Sequence, residues 1–593
     1  MRDSYIKAIK ECELMILKYK RHHNQMGYVK LADIALFLLG LYFSFQTLDI
    51  VVILFTFAVF EAYFLLIAIH HKAIYLMREN EEKRCIYQRY IDRLDGNWNA
   101  FYDTGNEFLD PKHGYSSDLD IFGENSLFQY LNTTKTWFGR QKFVNDLTEL
   151  NLDLNSIKLR QQAIWELSNN IAFTVDMQTA GRRIKPDKNI LEFISALKGY
   201  RTETAWKYGK YMVYLPVLST IFMLVTFFFE IKILYIPAGI LLMVHVILWV
   251  FSTLKLSHAL SEIDGANYKF QEYSKIFKLM EDKSFSCELL RELKSKVSPS
   301  KGIKVSQAME QLSHIVMKLD FRRNAVLYIV MNLFFLWDIN CAYSIKTWRA
   351  NFRERMDGWF ESLGELESLL SFANLKFVDD DVCMPKFNDK KMIKAVDMGH
   401  PLIPKDKRVT NSFELNNEIF IVSGSNMSGK TTFLRTVGIN MVLGLAGGFC
   451  CATELSIPVI GMITSMRIAD DLSHGISTFY AELDRIKLAL ESSKDGQAIF
   501  LIDEIFKGTN SDDRLFGARS VIEKLDDYTS IGLITTHDLA LCKTSQTQRP
   551  RIVNYSFAER YENDEMVFDY KIIKGQAKST NARYLMNKLG ITE

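Results

Sequence analysis

No two of the eight cysteines stand in a C-x-x-C pair. Zinc ribbons and thioredoxin-type redox chemistry therefore have no ligand set, and the scattered thiols fit a reducing, cytosolic compartment. Charge of one sign is also missing. The formal net charge is +2 with 24% charged residues, neither the basic excess of a dedicated nucleic-acid binder nor the profile of a disordered chain. Charge thus neither supports nor excludes DNA. A cleavable secretory leader is not expected, because the first apolar run starts late and no small-residue cleavage site follows it. What abounds is phenylalanine and tyrosine, 41 and 26 residues, clustered in long apolar tracts. The 593 residues exceed a single core, so three or more domains are expected.

Four tracts approach the roughly 20 residues needed to cross about 30 Å of hydrocarbon. They are Gly27–Phe45, Ile50–Ile69 (with one acid, Glu61), Tyr211–Phe229 and Ile233–Leu254. The links "QTLD" and "EIK" are so short that the tracts pair into two helical hairpins. Lys18, Lys20, Arg21 and Lys30 precede the first pair, and Lys72, Arg78, Lys83 and Arg84 follow it. Lys198, Arg201, Lys207 and Lys210 precede the second, and Lys255 follows. The positive-inside rule then puts both termini, and the chain between the hairpins, in the cytoplasm. A fifth apolar stretch, 325–345, is interrupted by Asn332, Asp338 and Asn340 and reads as a core helix.

The segment "NEIFIVSGSNMSGKTTFLRTVGINMVL" reads strand, loop, helix. Its loop fits G-x-x-x-x-G-K-[ST], running Gly424, Ser425, Asn426, Met427, Ser428, Gly429, Lys430, Thr431 and Thr432. Glycine is required where backbone curls around phosphate oxygens, and the loop N–H groups with the helix N-terminus hold the negative charge. Lys430 reaches the outer phosphates and Thr431 offers a hydroxyl to Mg²⁺. Further on, the apolar strand Ala498–Ile502 ends in Asp503 and Glu504. Ligands gather at the carboxyl ends of such strands. Asp503 is expected to hold Mg²⁺ through water, and Glu504 to polarise the attacking water as general base. A third apolar strand, "SIGLITTHD", ends in His537, placed to sense the γ-phosphate. The cofactors expected are ATP and Mg²⁺.

The order P-loop, Asp-Glu, His is that of ABC-type ATPases, which close as sandwich dimers. Transporters of that class carry L-S-G-G-Q before the acids; here the interval holds "RIADDLSHGISTFYAELDRI". The chain resembles the MutS family in "GHPLI" (399–403), "GSNMSGKTTFLR", "ADDLSHGISTFYAEL" (469–483), "LIDEIFKGTNSDD" (501–513), "TTHDL" (535–539) and "KGQAKSTNARYLMNKLGI" (574–591). It extends less strongly to 125–167 and 358–374, which look like the family's helical core and returning lever. The resemblance implies that Asn426 is the P-loop asparagine and that Ser477 reaches the partner subunit's γ-phosphate. It also implies that Tyr570 packs a ring against the adenine. Aromatics at strand positions are otherwise usually packing.

The implied organisation is an N-terminal helical region with the first hairpin (1–100) and a MutS-like core (101–200). The second hairpin (201–256) and a helical lever region (257–389) follow, then an α/β P-loop ATPase domain (390–593). The Phe-x-Glu mismatch wedge, the connector domain and the DNA clamp of the family have no visible counterpart, and no endonuclease is expected. The expected function is a membrane-anchored MutS-like ATPase. It works as a homodimer through its ATPase heads, with lipid as one partner and DNA as a candidate second. One alternative is a membrane mechanochemical switch acting on an unknown protein or envelope partner without DNA. The other is a small-molecule transporter, which the missing L-S-G-G-Q disfavours.

Overall fold

The computed structural model describes residues 1–199, 209–261, 267–299, 302–425, 427–467, 478–506, 511–546, 549–562 and 565–577. Two compact units emerge. One comprises Met1–Asn132, Asp146–Thr179 and Phe372–Glu593; the other comprises Thr133–Asn145 and Ala180–Ser371.

The first unit begins with a hairpin of α1 (Arg2–Thr47) and α2 (Ile50–Leu94). Leu48, left-handed at φ 51°, ends α1, and the Asp49 carboxylate caps α2 by accepting from the Val51 N–H at 2.8 Å. Near the turn the helices approach closely. A Cβ on Gly40 would lie 2.6 Å from Thr56 Oγ1, so only a small residue fits there. Around this point the outward side chains, among them Leu38, Leu39, Phe57 and Leu65, are exposed and apolar. At the other end the hairpin is anchored in the same unit. Tyr5 donates to the Phe377 carbonyl, Arg93 donates to the Tyr130 carbonyl, and Lys83 pairs with Asp176.

The second unit holds α3 (Gly209–Phe228) and α4 (Tyr235–Ser261), followed by α5 (Val305–Leu319), α6 (Ala325–Phe335) and α7 (Trp337–Phe352). Among the described residues three helical stretches are long and apolar enough to cross a membrane: α1, α2 and Lys232–Leu254. The apolar part of α3, Pro216–Phe228, is shorter. The single core helix expected over 325–345 is not found. Leu336 adopts a left-handed conformation at φ 46°, and the chain bends by 77° between α6 and the helix that follows. Only α7 is a core helix, burying Ile339, Ile345 and Trp348, whereas α6 leaves Val326, Ile329 and Val330 exposed.

The α/β part of the first unit is built on two sheets. A four-stranded sheet has the order β1-β5-β2-β3, formed by Lys386–Asn388, Glu454–Pro458, Met392–Met398 and Asn411–Asn416. A six-stranded sheet runs β10-β9-β4-β8-β7-β6. Its strands are β4 (Ile419–Ser423), β6 (Gly461–Ser465), β7 (Ala498–Asp503), β8 (Ile531–Thr536), β9 (Ile552–Glu562) and β10 (Glu565–Lys574). All its pairings are parallel except β9 with β10. The central strands read as unbroken apolar runs because every residue of β4 and β8 is buried, as a sheet covered on both faces requires. Three helices accompany the sheet: α8 (Lys430–Leu445), α9 (Thr478–Ser492) and α10 (Ser511–Asp527). Strands β4, β8 and β7 are adjacent and parallel, with Ser423 opposite Thr536 and Asp503 opposite Thr535. The three chemistry-bearing strand ends therefore meet at one edge.

Candidate functional site

The loop between β4 and α8 owes its shape to two glycines. Gly424 has φ 155°, and a Cβ there would lie 2.9 Å from Ser428 Oγ and 3.1 Å from the Phe557 carbonyl. Gly429 has φ 99°, and a Cβ would lie 3.0 Å from the Tyr570 ring. Met427 also takes a positive φ, 66°, with its side chain outward. Lys430 is buried beneath the loop, donating to the carbonyls of Gly424 at 2.9 Å and Ser425 at 2.7 Å. Ser428 Oγ is buried without a hydrogen-bond partner among the described residues. An unsatisfied hydroxyl in a glycine-rich loop at a helix N-terminus fits a phosphate ligand.

Asp503 is held on both carboxylate oxygens, by Thr431 Oγ1 at 3.0 Å and Thr535 Oγ1 at 2.5 Å. Thr431 and Asp503 thus stand together as the hydroxyl and carboxylate that could hold Mg²⁺. Among the described residues no group of three or more His, Cys, Asp or Glu could hold a metal by itself. Mg²⁺ keeps several waters and takes other oxygens from substrate phosphates, so one hydroxyl and one carboxylate are a sufficient protein set for it.

Glu504 follows in a left-handed conformation, φ 60°, with its N–H on the Thr535 carbonyl at 3.2 Å. Phe506, also left-handed at φ 61°, turns inward, and its N–H is received by Glu482 Oε1 at 2.5 Å. Strand β7 therefore ends in a strained turn that keeps Glu504 beside the loop. The His537 ring bonds to the Gly424 backbone. Burial and the Lys430 charge push its pKa below the ordinary value, against the opposite pull of Glu504.

These groups line a cavity of about 530 Å³. Ser428 to Thr432, Asp503, Glu504 and His537 form its polar side, and Ile403, Val409, Phe433, Phe557 and Tyr570 form its apolar side. Tyr570 lies at an irregularity in the β9–β10 ladder with φ 53°. Asn411 secures that irregularity by donating to the Tyr570 carbonyl at 3.0 Å and accepting from the Ile572 N–H at 2.8 Å. Such bulges re-aim a side chain. His400 lines the cavity too. Burial, then Arg435 and Arg408, lower its pKa to about 3. Its Nδ1 accepts from the Leu402 N–H, which puts the ring proton of the neutral form on Nε2.

Two acids outside the motifs brace the site. Asp120 pairs with Arg435 of α8 at 2.7 Å and with Arg467 at 2.6 Å. Asp118 accepts from Thr464 Oγ1 at 2.6 Å and from the Arg467 N–H at 2.9 Å. Together they fix the end of β6, from which the chain leaves toward 468–477. Asn426 and Ser477 lie outside the described residues. Sequence reasoning gave no role to Asn411, Glu482, Asp118 or Asp120. Only Glu482 had a signal, its place in the quoted "FYAEL".

Residues 420–587 match the family model described as MutS domain V. The chain is also similar to proteins named "DNA mismatch repair protein MutS". It is 30% identical over 236 residues to that of Thermus aquaticus, covering 38% of this chain and 28% of the relative. It is 32% identical over 215 residues to that of Streptococcus agalactiae, covering 35% and 25%. It is 31% identical over 242 residues to that of Clostridium botulinum, covering 39% and 25%. The chain thus spans about a quarter of the length of these relatives. The C-terminal part of this chain, residues 420–587, is thus similar to MutS domain V.

Proposed function

We propose that this chain is a Mg²⁺-dependent ATPase of MutS type, anchored in a membrane by its helical hairpins and working as a homodimer. The observation that carries the reading is the meeting of Lys430, Thr431, Asp503, Glu504 and His537 at neighbouring strand ends around one cavity. In the proposed reaction the loop amides and Lys430 bind the phosphates, and Thr431 with Asp503 hold Mg²⁺. The metal supplies neutralisation of charge on the phosphate oxygens. Glu504 takes a proton from the attacking water, and His537, neutral at physiological pH, contacts the γ-phosphate side. Tyr570 packs against the base. Asn426 completes the loop, and Ser477 closes the partner subunit's site.

Membrane anchoring rests on the length and exposed apolar faces of α1, α2 and Lys232–Leu254. In this reading the positive residues flanking the hairpins put both termini and the ATPase domain in the cytoplasm. DNA as effector rests on the printed function of the relatives. The test is the Glu504→Gln variant of the full chain in detergent, with and without duplex DNA. ATP binding is expected to persist while turnover collapses and a dimer accumulates with ATP. Normal turnover would remove Glu504 from its role. DNA that neither stimulates the parent enzyme nor binds it at low salt would leave a membrane switch acting on a protein partner.

A further inference from the structure

A helix that ends inside a protein leaves its last four carbonyls without intrahelical donors. At membrane depth each such group is costly, and irregular backbone persists there only when packed against protein. Helix α6 ends abruptly at Leu336, with neither proline nor glycine to break it. All four terminal carbonyls are nevertheless met. The Leu336 N–H donates to Asn332 O at 3.0 Å, His245 Nδ1 faces Leu333 O at 2.8 Å, Thr220 Oγ1 donates to Phe334 O at 2.7 Å, and Asn340 Nδ2 donates to Phe335 O at 2.7 Å. Two of these donors belong to the second hairpin. His245 is itself fixed by Ser219, 2.8 Å from Nε2. A carbonyl only accepts, so Nδ1 carries the proton of that contact, and Nε2 faces the Ser219 hydroxyl.

The level of this elbow follows from helix rise. Thr220 lies eight residues before the end of α3, and His245 eleven past Leu234. At 1.5 Å per residue these are about 12 and 16 Å from the hairpin tip, near the middle of a hydrocarbon layer of about 30 Å. The elbow also returns to the side it came from. Trp337 Nε1 donates to the Lys318 carbonyl at 2.7 Å, and Asp338 lies 3.5 Å from Arg322, both on the segment leading into α6. Helix α6 carries no charged residue, and its Val326, Ile329 and Val330 are exposed, as are Ile240, Met243 and Ile247 on α4, which it meets through Tyr328 against Trp249.

We infer that α6 and the elbow at Leu336 form a re-entrant element that enters the bilayer beside the second hairpin without crossing it. His245 and Thr220 cap its carbonyls, and acyl chains cover its outer face. The inference rests on the membrane reading of the hairpins.

The test uses the full chain in phosphatidylcholine vesicles containing a diazirine-bearing acyl chain, with adducts mapped by mass spectrometry after illumination. Adducts are expected on Val326–Val330 as well as on Ile240–Ile247. Adducts on α4 with none on α6 overturn the inference and leave the hairpin in the membrane. Adducts on neither overturn the membrane reading itself. Crosslinks from α6 to a second copy, in place of lipid adducts, give this face to self-association and also overturn it. In His245→Leu, amide exchange across 325–338 should rise by about tenfold or more, since a buried carbonyl loses its donor, with α5 unchanged. Unchanged exchange across α6 would refute the capping.

Discussion

Glycine at position 504 should make the protein more stable and inactive at once. Glu504 occupies the left-handed region at φ 60°, which costs an L-residue about 1–2 kcal/mol. Glycine removes that cost but returns about 0.5–1 kcal/mol through the greater freedom of the unfolded chain. The net gain is between about zero and 1.5 kcal/mol, a rise in Tm of up to about 4 °C if the α/β domain of roughly 200 residues unfolds as a unit. The backbone bond from residue 504 to the Thr535 carbonyl does not depend on the side chain and is retained. Loss of a general base should cut turnover by about 10²–10⁴-fold. The assay pairs thermal unfolding of the nucleotide-free chain in detergent with steady-state phosphate release. A lower Tm would show that the turn is not strained, and turnover within tenfold of the parent would show that the base lies elsewhere.

Three further outcomes follow from the same geometry. Lys430→Ala removes the loop's buried cation and should raise the Kd for ATP by about 10–100-fold, read by titration calorimetry. His400→Gln isolates a pH effect. The folded pKa of His400, about 3, lies below the unfolded value, so the unfolded chain binds more protons. Stability is then whole above about pH 6.5 and declines as pH falls toward about 3. Denaturant unfolding of the parent should fall more steeply than that of the variant, by up to about 1.4 kcal/mol per pH unit, and parallel curves would refute it. Asn411→Ala releases the turn at Tyr570, and if the ring stacks on the base, ATP affinity should weaken about two- to tenfold with kcat retained. An unchanged Kd would free Tyr570 of that role.

The glycine-rich loop at 424–432, the Asp503–Glu504 pair and His537 stood out in the sequence because each is a local pattern: a glycine-spaced loop, or an apolar run ending in a polar residue. Parallel pairing of those runs does the rest, carrying the three strand ends to one edge. Asn411, Asp118 and Asp120 were not legible. Their partners lie far along the chain, Asn411 meeting Tyr570 and Asp120 meeting Arg435, and no spacing rule links such positions. The elbow at Leu336 escaped for a related reason. Asn332, Asp338 and Asn340 interrupt the apolar run without marking where it breaks, and two of the donors that make the break tolerable sit on α3 and α4. The hairpin spacing, by contrast, was visible in two short polar links, and the helices turn there.

The length of the first hairpin bears on what the α/β domain can approach. Cys12 is buried at the anchored end of α1, whereas the apolar tract begins near Gly27. With that tract in hydrocarbon, residues 13–26 form a stalk of about 21 Å. The potential of an anionic leaflet decays over a Debye length of about 8 Å at physiological ionic strength. A domain held off by such a spacer would work beyond the reach of lipid charge, so a polyanion could come to it without repulsion from the headgroups.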